Sequence, residues 1–183
     1  MTEETAMYWS DSDNVDKLPR CTVYMKSALN PKSLKSHNKK VYEAFIKACG
    51  GARKQAEHAL QWGNSPSVGI ASGLIRIAGK TICGFNPPTF FNQNSKTVSI
   101  SDVRTWPLEN CSADVDLVKN KRRFESTLLH EIIHLVRMVA NKSDVDFDFP
   151  DTEEPGDQFE IWAYGKRLCD QDEIEDAFLS VRK

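Results

Sequence analysis

Residues 126–137 read STLLHEIIHLVR, and the rest of the chain is read outward from them. His130 and His134 stand four positions apart. On an α-helix that spacing is about 400° of turn and about 6 Å of rise, so both imidazoles leave one face on successive turns. Both can then reach a single ion at the ~2.0–2.1 Å zinc–nitrogen distance. Glu131 falls beside that ion rather than on it. There it can take a proton from water activated by the ion and return it to a leaving amine. The neighbours Leu128, Leu129, Ile132, Ile133, Leu135 and Val136 are all apolar, which predicts a helix buried nearly all round. Two imidazoles and a carboxylate in such a helix need partners, and a shared metal supplies them. The competing reading is a core helix with two hydrogen-bonded histidines.

The segment resembles the zincin metallopeptidase signature. Thr127 stands three residues before the first histidine, and uncharged residues surround the motif. The resemblance implies a zinc-dependent metalloendopeptidase acting on protein or peptide substrates. It also implies that the strand TVSIS (residues 97–101) is the edge against which an extended substrate pairs.

A catalytic zinc site has three protein ligands and one open position. No histidine follows His134, so the third ligand is expected from a carboxylate downstream, with His37 and His58 as weaker upstream options. The downstream set is Asp144, Asp146, Asp148, Asp151, Glu153, Glu154, Asp157 and Glu160. Glu160 is the preferred candidate because it lies among Phe159, Ile161, Trp162, Ala163 and Tyr164, where a carboxylate must be paired or metal-bound. By resemblance this is the glutamate-zincin arrangement, with the ligand on a later helix. Asp157 is a second option. Alternatively, Asp157 caps that helix with Glu160 at its third position. Tyr164, one turn beyond Glu160, is placed to donate to a developing oxyanion. Asp144, Asp146 and Asp148 alternate like the start of a calcium loop, but Phe149 stands where glycine is needed and Pro155 where the closing glutamate belongs.

The chain has 183 residues, 40% hydrophobic and 27% charged, with a formal net charge of -2. That fits one domain with a sizeable core and gives no electrostatic footprint for nucleic acid. No apolar run reaches the ~18 residues of a membrane span. Five scattered cysteines without a C-x-x-C pair argue for reduced, buried thiols. The start, MTEETAMYWSDSDN, is polar and acidic and predicts synthesis in the cytoplasm without a cleavable signal peptide.

Residues 1–20 read as a flexible tail and 21–183 as a single zinc metallopeptidase domain. Helices are expected from residue 41, over 52–62, from about 115 or 121 to 139, over 157–169 and over 173–181. The glycine-punctuated stretch 68–85 reads as a helix followed by a strand. A turn is expected at 86–89, and a loop through Pro107 and Asn110. The expected fold is α+β, a compact zincin-like domain of several helices and a small sheet with zinc between two core helices. The motif and the segment EPGDQFEIWAYG (residues 154–165) also look similar to secreted metallopeptidase effectors and toxins of bacteria. That implies delivery into a host or target cell, with a secretion-system carrier, chaperone or immunity protein as partner. Two alternatives stand beside it: a peptidoglycan-cleaving zinc peptidase or amidase, and a non-catalytic zinc-binding interaction protein.

Overall fold

The computed structural model describes residues 7–71, 75–77, 80–82, 84–85, 97–143 and 154–168. Its centre is a four-stranded sheet made of β1 (Met7–Trp9), β2 (Trp62–Ala71), β6 (Thr97–Ser101) and β5 (Gly84–Phe85), in that spatial order. β1, β2 and β6 run parallel, and β5 is antiparallel to β6. A separate hairpin joins β3 (Ile75–Ile77) and β4 (Lys80–Ile82). Val98 and Ile100 alternate into the core from β6, as the pattern TVSIS requires.

Helices surround this sheet. α1 (Asn14–Lys17), α2 (Pro19–Ser27), α3 (Pro31–His37), α4 (Lys39–Ala48) and α5 (Arg53–Leu60) precede β2. α6 (Asp102–Asn110), α7 (Asp114–Val139) and α8 (Pro155–Tyr164) follow β6. The architecture is thus α+β, as the sequence suggested. α7 is 26 residues long and buries Phe124, Leu128, Leu129, Ile132, Ile133, Leu135 and Val136. It packs on α8, α6, α5 and β6. An apolar girdle on this scale makes α7 the axle of the molecule. Burying each large aliphatic side chain contributes about 1.5–3 kcal/mol.

Several sequence expectations are corrected. Residues from Met7 onward are not a tail. Met7 and Trp9 are buried in the sheet, and Trp9 Nε1 donates to Thr22 Oγ1 at 2.7 Å. The stretch from residue 68 contains strands, not a helix: Val68 is buried and β2 pairs on both sides. TVSIS is not an edge strand, because β2 lies on one side of it and β5 on the other. Pro107 sits inside α6 rather than in a loop. α8 begins at Pro155 and ends at Tyr164, capped by Gly165 with a left-handed φ of 81°. The acidic run at 144–148, the turn at 86–89 and the helix expected over 173–181 lie outside the described residues. No described helix is long and apolar enough to cross a membrane.

Candidate metal centre

α7 presents His130 and His134 together, with ring centroids 5.2 Å apart. The helix is regular there, so the i, i+4 geometry read from the sequence is realised. The carboxylate brought to the pair belongs to Glu154. Its Oε1 lies 3.3 Å from His130 Nε2 and its Oε2 lies 2.9 Å from His134 Nε2. One ligand atom from each of the three residues falls within 4.8 Å of the others. Bonds of about 2.0–2.2 Å around a tetrahedral ion separate the ligand atoms by about 3.3–3.6 Å, so these residues fit a divalent metal. The side chains are 16%, 22% and 31% exposed, which leaves one side of the group open to solvent.

Glu154 is also the N-cap of α8. Its backbone is extended, and its carboxylate accepts from the backbone N–H of Gly156 (3.0 Å) and of Asp157 (2.7 Å). Pro155 explains why the helix starts there. Proline is favoured at the first helical position and holds the residue before it out of the helical region. That was the signal in the sequence for Glu154, and the apolar neighbours of Glu160 obscured it. The cap expected at Asp157 is displaced by three residues. The first turn of α8 presses directly on His130: a Cβ on Gly156 would stand 2.4 Å from His130 Cδ2. Glycine is required there by contact rather than by backbone conformation.

Glu160 is fully buried and stands behind His130, not with the Nε2 atoms. Its Oε1 is 3.5 Å from His130 Nδ1 and accepts from Ser126 Oγ at 2.7 Å. Its Oε2 accepts from the N–H of Leu168 at 2.5 Å. A carboxylate at Nδ1 favours the proton on that nitrogen and leaves Nε2 free to bind a metal. Glu131 is buried beside His130 and acts on its charge. Tyr164 does not point to the histidines. Its hydroxyl donates to Glu125 Oε1 at 2.9 Å, and Tyr24 donates to Oε2 of the same carboxylate at 2.7 Å. His37 and His58 do not join the cluster, whose members are His130, His134 and Glu154. Asp157 pairs with Arg167 at 2.5 Å.

The charges are strongly linked. Burial works against a charged His130, but Glu154, Glu160 and Glu131 outweigh it and hold its pKa well above 6.5. Burial likewise opposes the Glu154 carboxylate, and His130 and His134 overcome that and lower its pKa. Burial and the neighbouring Glu154 push Asp157 up to about 7. These carboxylates favour positive charge at His130, so an ion bound there would have to displace the proton that they hold on its ring.

No curated protein and no solved structure matches the chain. A family model described as metallopeptidase toxin 3 matches residues 14–165, from α1 to the end of α8. The match takes in both halves of the metal centre, so the chain belongs to the metallopeptidase toxin 3 family.

Proposed function

We propose that the protein is a zinc-dependent endopeptidase with His130, His134 and Glu154 as metal ligands and Glu131 as general base. The observation that carries this reading is the convergence of two imidazole Nε2 atoms and one carboxylate on a partly open spot. A zinc ion held by His130, His134 and Glu154 would supply Lewis-acid polarisation of a peptide carbonyl and would lower the pKa of water at the open position. Glu131 accepts the proton from the attacking water and delivers it to the leaving amine. Glu160 fixes the His130 ring through Nδ1, and Ser126 and the Leu168 N–H fix Glu160. Tyr164 holds α8 to α7 through Glu125 and is not assigned a role at the oxyanion.

The toxin family supports a protein substrate outside the producing cell. Delivery into a target cell, by a carrier or chaperone and with an immunity protein guarding the producer, belongs to the same proposal. Metal analysis of the purified protein, paired with a proteome-wide cleavage profile of wild type against Glu131→Gln, tests it. The expected result is about one zinc per chain in both proteins and new peptide termini only with wild type. Absence of bound metal, or equal cleavage by the variant, would sink the reading.

A further inference from the structure

α6 opens with Ser101 as its N-cap, whose hydroxyl accepts from the N–H of Val103 at 3.3 Å. The helix turns Val103, Arg104, Thr105 and Leu108 inward. Arg104 is only 2% exposed, although an arginine keeps its charge at any ordinary pH. Taking a guanidinium out of water is costly, and a well-packed apolar side chain often serves stability as well or better. Stability alone is therefore a poor reason for a buried cation on α6. The group that it holds supplies a better one.

Arg104 Nη2 donates to the backbone carbonyl of Leu168 at 2.9 Å. Leu168 lies just past the Gly165 cap of α8 and is itself buried. Its N–H donates to Glu160 Oε2 at 2.5 Å. Both backbone groups of this residue thus meet charged side chains, a cation at the carbonyl and an anion at the amide. Such bonds are roughly twice as strong as neutral ones. The other oxygen of Glu160 accepts from Ser126 and faces His130 Nδ1 at 3.5 Å. Arg122 also holds this turn, through the Tyr164 carbonyl at 3.2 Å, but that contact is exposed, whereas the Arg104 contact is buried. A continuous path therefore leads from α6 to the ring: guanidinium to carbonyl, amide to carboxylate, carboxylate to imidazole. Arg104 fixes where the Leu168 backbone sits. The Leu168 N–H fixes how Oε2 turns, and Oε1 follows because the carboxylate is rigid.

On the ligand set assigned above, we propose that Arg104 is a positioning residue for the metal centre. It acts through Leu168 and Glu160 to set the orientation of the His130 ring, and so how squarely Nε2 faces an ion shared with His134 and Glu154. The group behind a ligating histidine governs its ring and its affinity. Here that group is itself steered from a helix that carries no ligand.

Zinc competition titration of the full chain tests it, with the fold of each variant checked by circular dichroism. Arg104→Met should weaken zinc by about 3–10-fold, the worth of one buried hydrogen bond. Arg104→Lys keeps a charged donor and should stay within about twofold of wild type. Arg104→Gln keeps a polar head on a shorter stem, and gives the same reading where the methionine variant does not fold. In a Glu160→Ala background the loss on Arg104→Met should shrink to within about twofold, because the link it acts through is gone. Cobalt in place of zinc reports geometry directly: its visible bands should shift in Arg104→Met and return in Arg104→Lys. In the metal-free protein the Leu168 amide proton should resonate far downfield and move upfield in Arg104→Met. A purely structural arginine would lower the unfolding midpoint and leave the zinc affinity of the folded chain unchanged. Wild-type affinity in a folded Arg104→Met or Arg104→Gln chain, or an equal loss in the Glu160→Ala background, overturns the proposal and leaves the three ligands standing. A wild-type chain that binds no zinc overturns the ligand set itself, and this positioning role with it.

Discussion

Glu154 and Glu160 differ in what their carboxylates face, and substitution separates them. Glu154→Gln removes the charge shared by two Nε2 atoms. It should weaken zinc binding by more than about 100-fold in a competition titration, because a catalytic site keeps only three protein ligands. Glu160→Gln leaves the ligand set intact and should cost about 10–100-fold, the usual range for the group behind a ligating histidine. The opposite ranking would make Glu160 the ligand. Gly156→Ala forces a methyl group against the His130 ring. A loss of about 1–3 kcal/mol by denaturant unfolding is expected from overpacking, together with weakened metal binding. At this scale the motif was readable because histidines four apart on one helix are a local matter. Glu154 was harder because its place depends on where α8 starts. That in turn follows from a single proline and from the press of Gly156 on a ring 26 positions earlier.

α7 and α8 are fastened at both ends of their contact. Near the metal centre Glu160 joins Ser126 and His130, and one turn later Tyr164 joins Glu125. Tyr164→Phe removes one buried hydrogen bond from Glu125, which keeps the one from Tyr24. About 1–2 kcal/mol of stability should be lost, with kcat within about twofold of wild type. An oxyanion donor would instead cost about 100-fold or more in kcat, so the same variant decides between the two roles. The long helix was legible because its apolar residues repeat at helical period over several turns. The sheet was not. β1 is three residues long, too short for a period to show, and only its pairing with β2 reveals it. In β2, Gly69 reads as an interruption in sequence. In space it lies between Ser10 and Ser99, each 3.3 Å from where its Cβ would be. The glycine there serves close strand packing and gives no local sign of it.

The whole molecule buries groups that ionise only in alkali. Burial pushes the thiols of Cys21 and Cys49 well above 9.0, and burial with Glu125 pushes the hydroxyls of Tyr24 and Tyr164 well above 10.0. A raised folded pKa means that stability is intact below the unfolded value and is lost as pH rises beyond it. Denaturant midpoints should therefore hold to about pH 8, begin to fall as the unfolded thiols ionise near about 8.5, and fall more steeply above about pH 10, where the tyrosines add to the loss. Tyrosinate absorbance from Tyr24 and Tyr164 should appear only with unfolding. Early titration of these groups in the native protein would contradict the burial. Chelation acts on a different part of the molecule. Free zinc at about 1,000 times its Kd adds about 4 kcal/mol, so removing it should lower Tm by about 8–16 °C in calorimetry. The reason lies in the double duty of Glu154, which holds the start of α8 while it faces α7. An ion at that point would be a removable clasp across the 19 residues that separate His134 from Glu154. Binding of a metal there would order the start of α8 and complete the three-residue site in one step, so the supply of metal would set when both are formed.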